Sequence, residues 1–499
     1  MLLLLTYLCQ KWFRSKYRHL ASPGPCLPII GHTYKMRTQE FKQDPVHEIW
    51  RMYKQHQKNG MMYFKQFGIN ALWVGDFDTV KHIFNHADGK GRVYDNTPGF
   101  FKASRKVSGD QIPGVIFSNK ETWQQQRRFA LKTLRDFGFG KQGMEEMIEE
   151  EINDFKALLE RRLEKAFDIA PLLNLPILNA LWKVAVGERF DYEDHKLLDI
   201  CKRLKRVFEA FASSSVSVFL ISFPWLLRLP KWMLADGSFS MDLIKDLIDL
   251  IQENVSRHQQ TLDVNDCRDY TDMALKEISK TADSKSSFYG QFGLDNLKVT
   301  LFDLFIAGAE TTSTTLTWAA LYMVRYPEVQ RRVQEELDRE VGVNNSAKME
   351  DRARLPYTEA VIMEIQRHGN IVPLGVRHRI EKDMMVNGQL IPADTIVYPI
   401  MAEIMKGEYW GDGEVFRPER FLDEAGSVRR DERLIPFSIG KRQCLGETLA
   451  RTELFLFFTA LVHAYTFLPE NPGEIPAEKW QLGVTSPPRP FKLRLVPRF

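Results

Sequence analysis

The stretch Phe437-Ser-Ile-Gly-Lys-Arg-Gln-Cys-Leu-Gly446 decides how the rest of this chain is interpreted. It places Cys444 between two glycines and beside Arg442. The residues after it, through His463, are largely apolar and free of proline, which predicts a helix beginning next to the cysteine. The backbone N–H groups and the positive dipole end at a helix N-terminus favour a thiolate, and the Arg442 cation adds to this. A thiolate held in this way is either a nucleophile or a metal ligand.

The spacing of the motif narrows these two choices. No second cysteine lies nearby, which argues against zinc and iron–sulfur sites, because these need several ligands at short intervals. The complete pattern Phe-x-x-Gly-x-Arg-x-Cys-x-Gly resembles the haem-ligand loop of the cytochromes P450, in which a cysteine thiolate holds the haem iron. By this resemblance Cys444 is the metal ligand, and the loop residues that bind haem b are Phe437, Arg442, Cys444 and Gly446. The alternative is a buried structural cysteine before a core helix.

The composition is that of a large globular chain. It has 499 residues, 44% hydrophobic and 27% charged, with glycine and proline spread evenly and no repeat. We therefore expect one large catalytic domain over residues 32–499. The net charge of +3 is too small to indicate a nucleic-acid partner, and five scattered cysteines are typical of a reducing compartment.

The first twenty residues indicate a targeting signal. Residues 1–9 are nearly all apolar, and a basic cluster from Lys11 to His19 follows them. A secretory signal peptide places its charges before the apolar run, so the reversed order indicates a short signal-anchor over residues 1–20. The run is shorter than the ~20 apolar residues that cross a bilayer. An interfacial peptide or an incomplete N-terminus are the alternatives.

Two further stretches bear on membrane attachment. Residues 21–31 are rich in proline and glycine and are similar to the hinge before the catalytic domain of microsomal P450s. The resemblance implies the endoplasmic reticulum membrane, with the domain facing the cytosol. Residues 219–234 are very apolar and place Trp225 and Trp232 beside cations, which suits a surface entering the headgroup region. Ordinary core packing is the alternative for this run.

A helix is predicted from a capping-box match at Ser118–Glu121 through Phe137. Trp123 and Arg127 lie at i and i+4, hence on one face, where an indole N–H and a guanidinium suit a carboxylate. The pair matches the Trp-x-x-x-Arg of P450s, which implies that it holds a haem propionate.

Two more positions concern the propionates. His378 matches the place where many relatives have a propionate-binding histidine, with an exposed histidine as the alternative. Gln111 departs from several mammalian relatives, which have an arginine there. The departure implies that one propionate is held less tightly or is reached from elsewhere.

The segment Leu294–Tyr326 is predicted to be one long helix stopped by Pro327. Near its middle, Ala307-Gly-Ala-Glu-Thr-Thr312 places Ala307, Gly308 and Thr311 on one face. Small residues there would open a groove beside the helix. The segment matches the P450 oxygen-activation motif, which implies that Ala307 and Gly308 border the haem and that Glu310 and Thr311 carry protons.

The remaining family motifs occur in the expected order. Glu364 and Arg367 at i, i+3 are followed by Phe416-Arg-Pro-Glu-Arg-Phe421, and P450s join these as a buried unit of Glu364, Arg367 and Arg420 that serves folding. Asn387-Gly388 predicts a hairpin, and residues 61–74 predict a small sheet. Together they imply a mainly α fold with small β-sheets, the cytochrome P450 fold.

Asp78 is predicted to cap a short helix ending near His86.

The resemblance, from Pro23 to Phe499, implies a haem-thiolate monooxygenase of the animal microsomal family-2 type. It would insert one atom of O2 into a lipophilic substrate such as a fatty acid, steroid, terpenoid or xenobiotic. A haem-thiolate isomerase or dehydratase and a non-catalytic haem-binding protein are the rivals, and the Glu310/Thr311 pair favours the monooxygenase. The expected pocket is lined by Phe101, Ile112, Ile116, Phe208, Phe211, Phe305, Ala309, Val372, Leu374 and Val484.

Electrons must come from a partner, because the chain has no convincing flavin or NADPH site. Gly138-Phe-Gly-Lys-Gln-Gly143 fits the dinucleotide pattern, but it follows a helix and precedes a run of glutamates that would repel a pyrophosphate. We interpret it as a helix–helix turn. The family implies NADPH–cytochrome P450 reductase as the donor, with cytochrome b5 as a second candidate. Four cations lie on elements flanking Cys444, and the exposed members of this set are expected to steer the acidic partner: Lys132, Arg135, Lys441 and Arg442.

Overall fold

The computed structural model describes residues 16–93, 112–137, 142–163, 165–213, 237–481 and 483–499. In chain order the α-helices are α1 (Gln39–Gln43), α2 (Pro45–His56), α3 (Phe77–Asn85), α4 (Lys120–Asp136), α5 (Gln142–Glu160), α6 (Ala170–Val186), α7 (His195–Ser213), α8 (Gly237–Thr261), α9 (Tyr270–Lys280), α10 (Gly290–Arg325), α11 (Pro327–Glu340), α12 (Pro356–Gly369), α13 (Met401–Lys406) and α14 (Glu447–Ala464). The strands are β1 (Met61–Gln66), β2 (Ile69–Val74), β3 (His378–Arg379), β4 (Met384–Val386), β5 (Gln389–Ile391), β6 (Ile396–Pro399), β7 (Tyr465–Pro469) and β8 (Leu493–Pro497).

Helix α10 runs through the centre of the helical part. It contacts α6, α9, α12 and α14, and most of its residues are buried. A helix that is apolar nearly all round is stable only inside a protein. The prediction of one long helix ending before Pro327 is confirmed, because Tyr326 leaves the helical region (φ −122°, ψ 70°) as a residue before proline must.

Three small sheets complete the fold. The largest has the order β1-β2-β6-β3, with β1 antiparallel to β2, and β2 parallel to β6. The hairpin predicted at Asn387-Gly388 is confirmed, since β4 pairs with β5 and both turn residues have positive φ (49° and 73°). The predicted mainly α fold with small sheets is confirmed.

Two predicted helix caps are wrong. Asp76, not Asp78, caps α3 by accepting a hydrogen bond from the Thr79 N–H at 2.9 Å. The Ser118–Glu121 capping box does not form, because the Ser118 hydroxyl donates to the Gly114 carbonyl instead. At both helix starts cap-forming residues lie one or two positions apart, Ser118 and Asn119 before α4 and Asp76 and Asp78 at α3, and the pattern does not fix which of them is the N-cap.

The segment predicted as anchor flank and hinge is docked on the large sheet where the structure describes it. Tyr17 stacks on Tyr63 with ring centroids 4.7 Å apart, and the Tyr63 N–H donates to the Ala21 carbonyl at 2.7 Å. Among the described residues, no helix has the length and apolar character that a membrane crossing requires. Residues 1–15, residues 138–141 of the predicted helix–helix turn, and the apolar run 219–234 lie outside the described residues.

A buried ion cluster joins α12 to the chain that leads to Cys444. Glu364 is fully buried and accepts from Arg367 at 2.7 Å and from Arg420 at 3.1 Å. Arg367 also donates to the carbonyls of Met405 and Gly413, at 2.7 and 2.9 Å. The predicted association of Glu364, Arg367 and Arg420 is therefore present. Each hydrogen bond from this cluster to a backbone carbonyl fixes one more stretch of irregular backbone.

Replacing Glu364 by Gln should strongly destabilise the fold. The substitution leaves the buried Arg367 without its carboxylate and Arg420 with Asp412 alone, and breaking a buried pair in this way costs about 3–5 kcal/mol. We expect a much lower midpoint of thermal unfolding and a smaller yield of haem-loaded protein. The control is Glu328→Gln, whose carboxylate is exposed and pairs with Arg331, and which should leave the midpoint nearly unchanged. Equal midpoints for the two variants would contradict the folding role.

Candidate active site

The cysteine loop is a tight turn that leads into α14. The Cys444 N–H donates to the Phe437 carbonyl at 3.0 Å, which closes the loop. Gly440 has φ +80°, and a Cβ there would lie 2.5 Å from the Phe84 carbonyl oxygen, so both conformation and space require glycine. A Cβ on Gly446, the N-cap of α14, would meet nothing within 4 Å. The loop is thus held against α3 and leaves open space beside Gly446.

Burial and neighbouring charges shift the pKa of the Cys444 thiol in opposite directions. Its side chain has accessible surface, yet much protein surrounds it, and this burial is the main cause of a raised thiol pKa. The Gly446 N–H and the Arg127 guanidinium lower the pKa, while Glu447 raises it. The predicted stabilisation of the thiolate is therefore present, but the effect of burial is larger. The cation that contributes to this stabilisation is Arg127 and not Arg442. A bound metal ion would remove the proton outright.

Three guanidinium groups gather around the loop. Arg127 donates to the carbonyl of Gln443, the residue before Cys444, at 2.6 Å. Arg442 donates to the carbonyls of Lys90 and Ser118, and Arg92 to the carbonyl of Arg377 at 2.7 Å. Within the described parts of the chain, no carboxylate lies within ion-pair distance of any of the three.

The pKa values of these arginines reflect the shortage of negative charge around them. Burial and repulsion from Arg127 lower the pKa of Arg92 to about 9, and burial with repulsion from Arg92 and Arg127 lowers that of Arg442 to about 8. A guanidinium keeps its proton in proteins all the same, so the lowered values express positive charges that lack an anion. Two nitrogens, Arg92 Nε and Arg442 Nη1, are buried with no hydrogen-bond partner.

Two aromatic contacts orient the group. The Arg442 guanidinium lies 3.9 Å from the centre of the Trp123 ring, and the His378 ring stacks on Phe84 at 3.7 Å. His378 is buried, and its Nδ1 bonds the Gly89 carbonyl at 2.8 Å, so Nδ1 carries the proton. Burial and the nearby Arg92 and Arg442 lower its pKa, which leaves Nε2 as an acceptor. The predicted propionate bond from His378 therefore requires the imidazolium form.

These residues fit a haem. A planar ligand with two carboxylates would supply the anions that the three guanidinium groups lack. The open space beside Gly446 would admit its flat surface, and the Cys444 sulfur would supply the axial ligand. Trp123, Arg127, His378, Arg442 and Arg92 would hold it.

Helix α10 presents an open face and a buried face. Ala307 is exposed, and the neighbouring Thr311 donates its hydroxyl proton to the Ala307 carbonyl at 2.9 Å. Gly308 does not widen this face as predicted. A Cβ there would come within 2.4 Å of Leu181, so the glycine allows α6 to approach. Glu310 is buried and near enough to Cys201 of α7 to raise its thiol pKa, so its carboxylate faces α7.

The structure corrects part of the predicted substrate pocket. Phe305 is fully buried in edge contact with Trp182, 5.5 Å between ring centres, and Ala309 is buried one turn further on. Both lie on the core side of α10, so their assignment to the pocket is wrong. Leu374 packs in the sheet core beside Trp50.

Other predicted lining residues lie in loops. Ile112 is buried and Ile116 partly buried, Val372 is partly buried, and Val484 is half exposed. Phe101 and Gln111 lie outside the described residues, as do the side chains of Phe208 and Phe211 near the end of α7.

Sequence reasoning missed two features. Arg92 has no periodic or capping context that would single it out, although it follows the basic Lys90 in a short turn. Asp303, one turn before Ala307, accepts from the Val115 and Ile116 N–H groups at 2.8 and 2.9 Å and so holds the loop at 112–117 against α10. In the sequence, the position of Asp303 one helical turn before Ala307 is the signal that could have identified it.

The long central helix, the cysteine loop and the cations around it define a haem-thiolate protein. A sequence model of the family "Cytochrome P450" matches residues 22–495, so the chain belongs to the cytochrome P450 family. It is similar to cytochrome P450 2A13 of Homo sapiens, 34% identical over 493 residues that cover 98% of this chain and 95% of the relative. Cytochrome P450 2J2 of Homo sapiens is 34% identical over 483 residues, covering 95% and 91%. Cytochrome P450 2B2 of Rattus norvegicus is 39% identical over 354 residues, covering 71% of each chain.

Family membership settles the class of chemistry. The chain is a haem-thiolate monooxygenase that uses haem b, O2 and electrons from a redox partner to oxidise a small organic substrate. Nothing in these comparisons favours the isomerase or the non-catalytic haem carrier.

Arg92 should be required for tight haem retention. Replacing it by Leu removes one of three cations, and losing a charge-assisted hydrogen bond should speed haem release roughly tenfold. The measurement is haem transfer from the purified enzyme to excess apomyoglobin. Arg92→Lys keeps the charge and should restore most of the retention, and Arg128→Leu, on the exposed side of α4, should change little. Equal transfer rates for Arg92→Leu and Arg128→Leu would show that Arg92 holds no propionate.

Proposed function

We propose that this enzyme hydroxylates or epoxidises lipophilic molecules held between the open face of α10 and the loops at residues 112–117 and 484. The observation that carries the proposal is the cysteine loop with its three guanidinium groups, for which the described residues supply no paired carboxylate, together with the open face of α10 at Ala307 and Thr311. The bound haem supplies the oxidising chemistry. The protein supplies the axial sulfur, the orientation of substrate and the movement of protons.

Thr311 has the geometry of a proton acceptor. Its hydroxyl proton is donated to the Ala307 carbonyl at 2.9 Å, so the oxygen lone pairs face the open side of the helix. A water there can donate to the Thr311 oxygen, and the hydroxyl can turn to donate a proton to the open side. Glu310 lies on the next face toward α7, and we propose that it delivers protons to this position from that side.

The substrate class follows from the lining. Ile112, Ile116, Val372 and Val484 are aliphatic, and the backbone N–H groups of the 112–117 loop are already bonded to Asp303. Such a lining selects by shape and apolar area. Fatty acids, steroids, terpenoids and foreign lipophiles share the required character, and binding spectra with a panel of them would rank these classes.

We propose NADPH–cytochrome P450 reductase as the electron donor, with cytochrome b5 as a second donor. Lys132 and Arg135 are exposed on α4, and Lys441 is exposed in the cysteine loop. Arg442 is buried, so the exposed members of the predicted set are Lys132, Arg135 and Lys441. These three cations would attract an acidic partner.

We also propose attachment to the endoplasmic reticulum membrane with the domain in the cytosol. The support is the apolar run of residues 1–9 followed by cations, and the docking of residues 16–21 on the sheet. The exposed Asn344-Asn345-Ser346 matches a glycosylation acceptor, so glycosylation at Asn344 in expressing cells would refute the cytosolic orientation.

Reversing the charge of Lys132 and Lys441 should slow reduction by the reductase. The double variant Lys132→Glu/Lys441→Glu should reduce more slowly and lose most of the salt dependence of the rate, because the attraction it removes is screened by salt. Stopped-flow reduction under carbon monoxide measures this. Lys54→Glu/Lys58→Glu, exposed on α2 and the turn after it, is the matched control. Unchanged rates and salt dependence would rule out this docking surface.

The absorption spectrum of the bound haem should depend on Cys444. Reduction by dithionite under carbon monoxide should give the red-shifted Soret band of thiolate-ligated haem, and Cys444→Ser should abolish it. Cys201→Ser, a buried cysteine on α7, should keep the band. A Soret band typical of histidine ligation in the native chain would overturn the proposed function.

A further inference from the structure

A hairpin near the C-terminus carries Val484, one of the residues proposed to line the pocket. Its arms, residues 479–481 and 487–489, pair antiparallel, and the Gln481 N–H donates to the Pro487 carbonyl at 2.8 Å. At the tip, a Cβ on Gly483 would lie 2.1 Å from a backbone oxygen of the same turn, so the turn is tight. Val484 is half exposed at this tip.

The tip is bonded to the turn that carries Val372, a second residue of the proposed lining. The Ser486 N–H donates to the Ile371 carbonyl at 2.7 Å. Val372 follows Ile371 directly, and Val484 lies two residues before Ser486. One backbone hydrogen bond between the two loops therefore controls how far apart the two valines lie.

Trp318 of α10 holds this junction from the core. Its side chain is buried, and its indole N–H donates to the Ser486 carbonyl at 3.0 Å. The Ser486 backbone is thus bonded on both sides, its N–H to the neighbouring loop and its carbonyl to α10. A Cβ on Gly369, the last residue of α12 before that loop, would lie 3.1 Å from the Trp318 ring. A single side chain of α10 therefore contacts the hairpin tip and the start of the other loop.

The base of the hairpin is held by separate contacts. The Trp480 indole N–H donates to the Gly369 carbonyl at 2.7 Å, and the Lys406 ammonium lies 4.5 Å from the centre of the Trp480 ring. These contacts involve neither Trp318 nor Ser486. Loss of the bond at the tip should therefore leave the arms of the hairpin in place.

We propose that Trp318 is a positioning residue for substrate selection, whose indole N–H fixes the Ser486 carbonyl and through it the separation of Val484 and Val372. The inference rests on the pocket proposed above. A buried carbonyl that loses its donor is costly, so without this N–H the tip should move outward until the carbonyl meets water. The apolar wall at Val484 then moves away from a long substrate, while a small ligand that needs only the haem iron is unaffected.

The first test needs no substrate. In the haem-loaded enzyme, Trp318→Phe removes the donor, and the Ser486 amide should exchange its hydrogen for deuterium roughly fivefold faster, the factor expected for one hydrogen bond. Mass spectrometry of peptides that span the tip measures this exchange. The matched control is Trp182→Phe, because Trp182 is fully buried on α6 and its Nε1 has no hydrogen-bond partner among the described residues. The control loses the same atoms without losing a hydrogen bond, so equal exchange rates at the tip in the two variants would overturn the proposal.

A second variant protects this test against a packing defect. β-(3-Benzothienyl)alanine at position 318 keeps the shape of the indole and replaces its N–H by sulfur, so only the hydrogen bond is lost. The tip should exchange as fast as in Trp318→Phe. Native exchange rates with this residue would assign the effect of Trp318→Phe to lost packing and would refute the positioning role.

The second test compares two ligands of the haem iron by spectral titration. Imidazole and 1-octylimidazole both bind the iron through nitrogen, and only the octyl chain must contact the wall of the pocket. In Trp318→Phe the Kd of 1-octylimidazole should rise about fivefold relative to the native enzyme, and the Kd of imidazole should stay unchanged. Both values should remain native in Trp182→Phe.

Val484→Asp separates this inference from the proposed pocket. A carboxylate in an apolar wall should weaken the binding of 1-octylimidazole and spare that of imidazole, whatever Trp318 does. Native affinity in Val484→Asp would refute the pocket, and the inference with it. Weakened binding in Val484→Asp together with a native Kd in Trp318→Phe would keep the pocket and overturn the role of Trp318.

Discussion

Charge balance around Cys444 is the constraint on which the rest of the site depends. The surrounding protein raises the pKa of the Cys444 thiol, and the guanidinium groups of Arg92, Arg127 and Arg442 repel one another. A bound macrocycle with a central metal ion and two carboxylates would balance both, since Cys444 would hold the metal as a thiolate with its proton released to solvent and the three arginines would hold the carboxylates. The Glu364 cluster differs in kind, because its guanidinium groups meet carboxylates of the chain itself: Glu364 pairs with Arg367 and Arg420, and Asp412 pairs with Arg420. The Glu364 cluster is therefore complete when the chain folds. The cations around Cys444 obtain their anions only when haem binds.

The sequence was sufficient for features that depend on neighbours in the chain. The cysteine loop, the long helix α10 and the hairpin at Asn387-Gly388 follow from local patterns and form as predicted. Arg92 could not be found in this way, because its role depends on contacts with residues far along the chain. Phe305 and Ala309 stand in the predicted pocket lining, each two residues from Ala307 in the sequence. Helical spacing turns them to the opposite face, so a stricter use of the 3.6-residue period would have excluded them.

Helix α10 combines tasks by dividing them among its faces. Ala307 and Thr311 are left open, Gly308 and Phe305 pack against α6, and Asp303 holds the loop at residues 112–117. Each face demands a different residue type, which explains why small, polar and aromatic side chains alternate within three turns. A substitution on one face is transmitted to the others because the helix moves as one rigid element.

The pairing of β2 with β6 has a consequence for how the protein is made. Ala71 lies beside Ile396, so the first strands to leave the ribosome wait for most of the chain before their sheet is complete. Strand pairing over such a separation is slow, and unpaired strand edges invite association with other chains. During synthesis the apolar strands β1 and β2 are therefore candidates for chaperone binding. The haem site, whose cysteine comes after β6, can be assembled only once the last strand of that sheet has been synthesised.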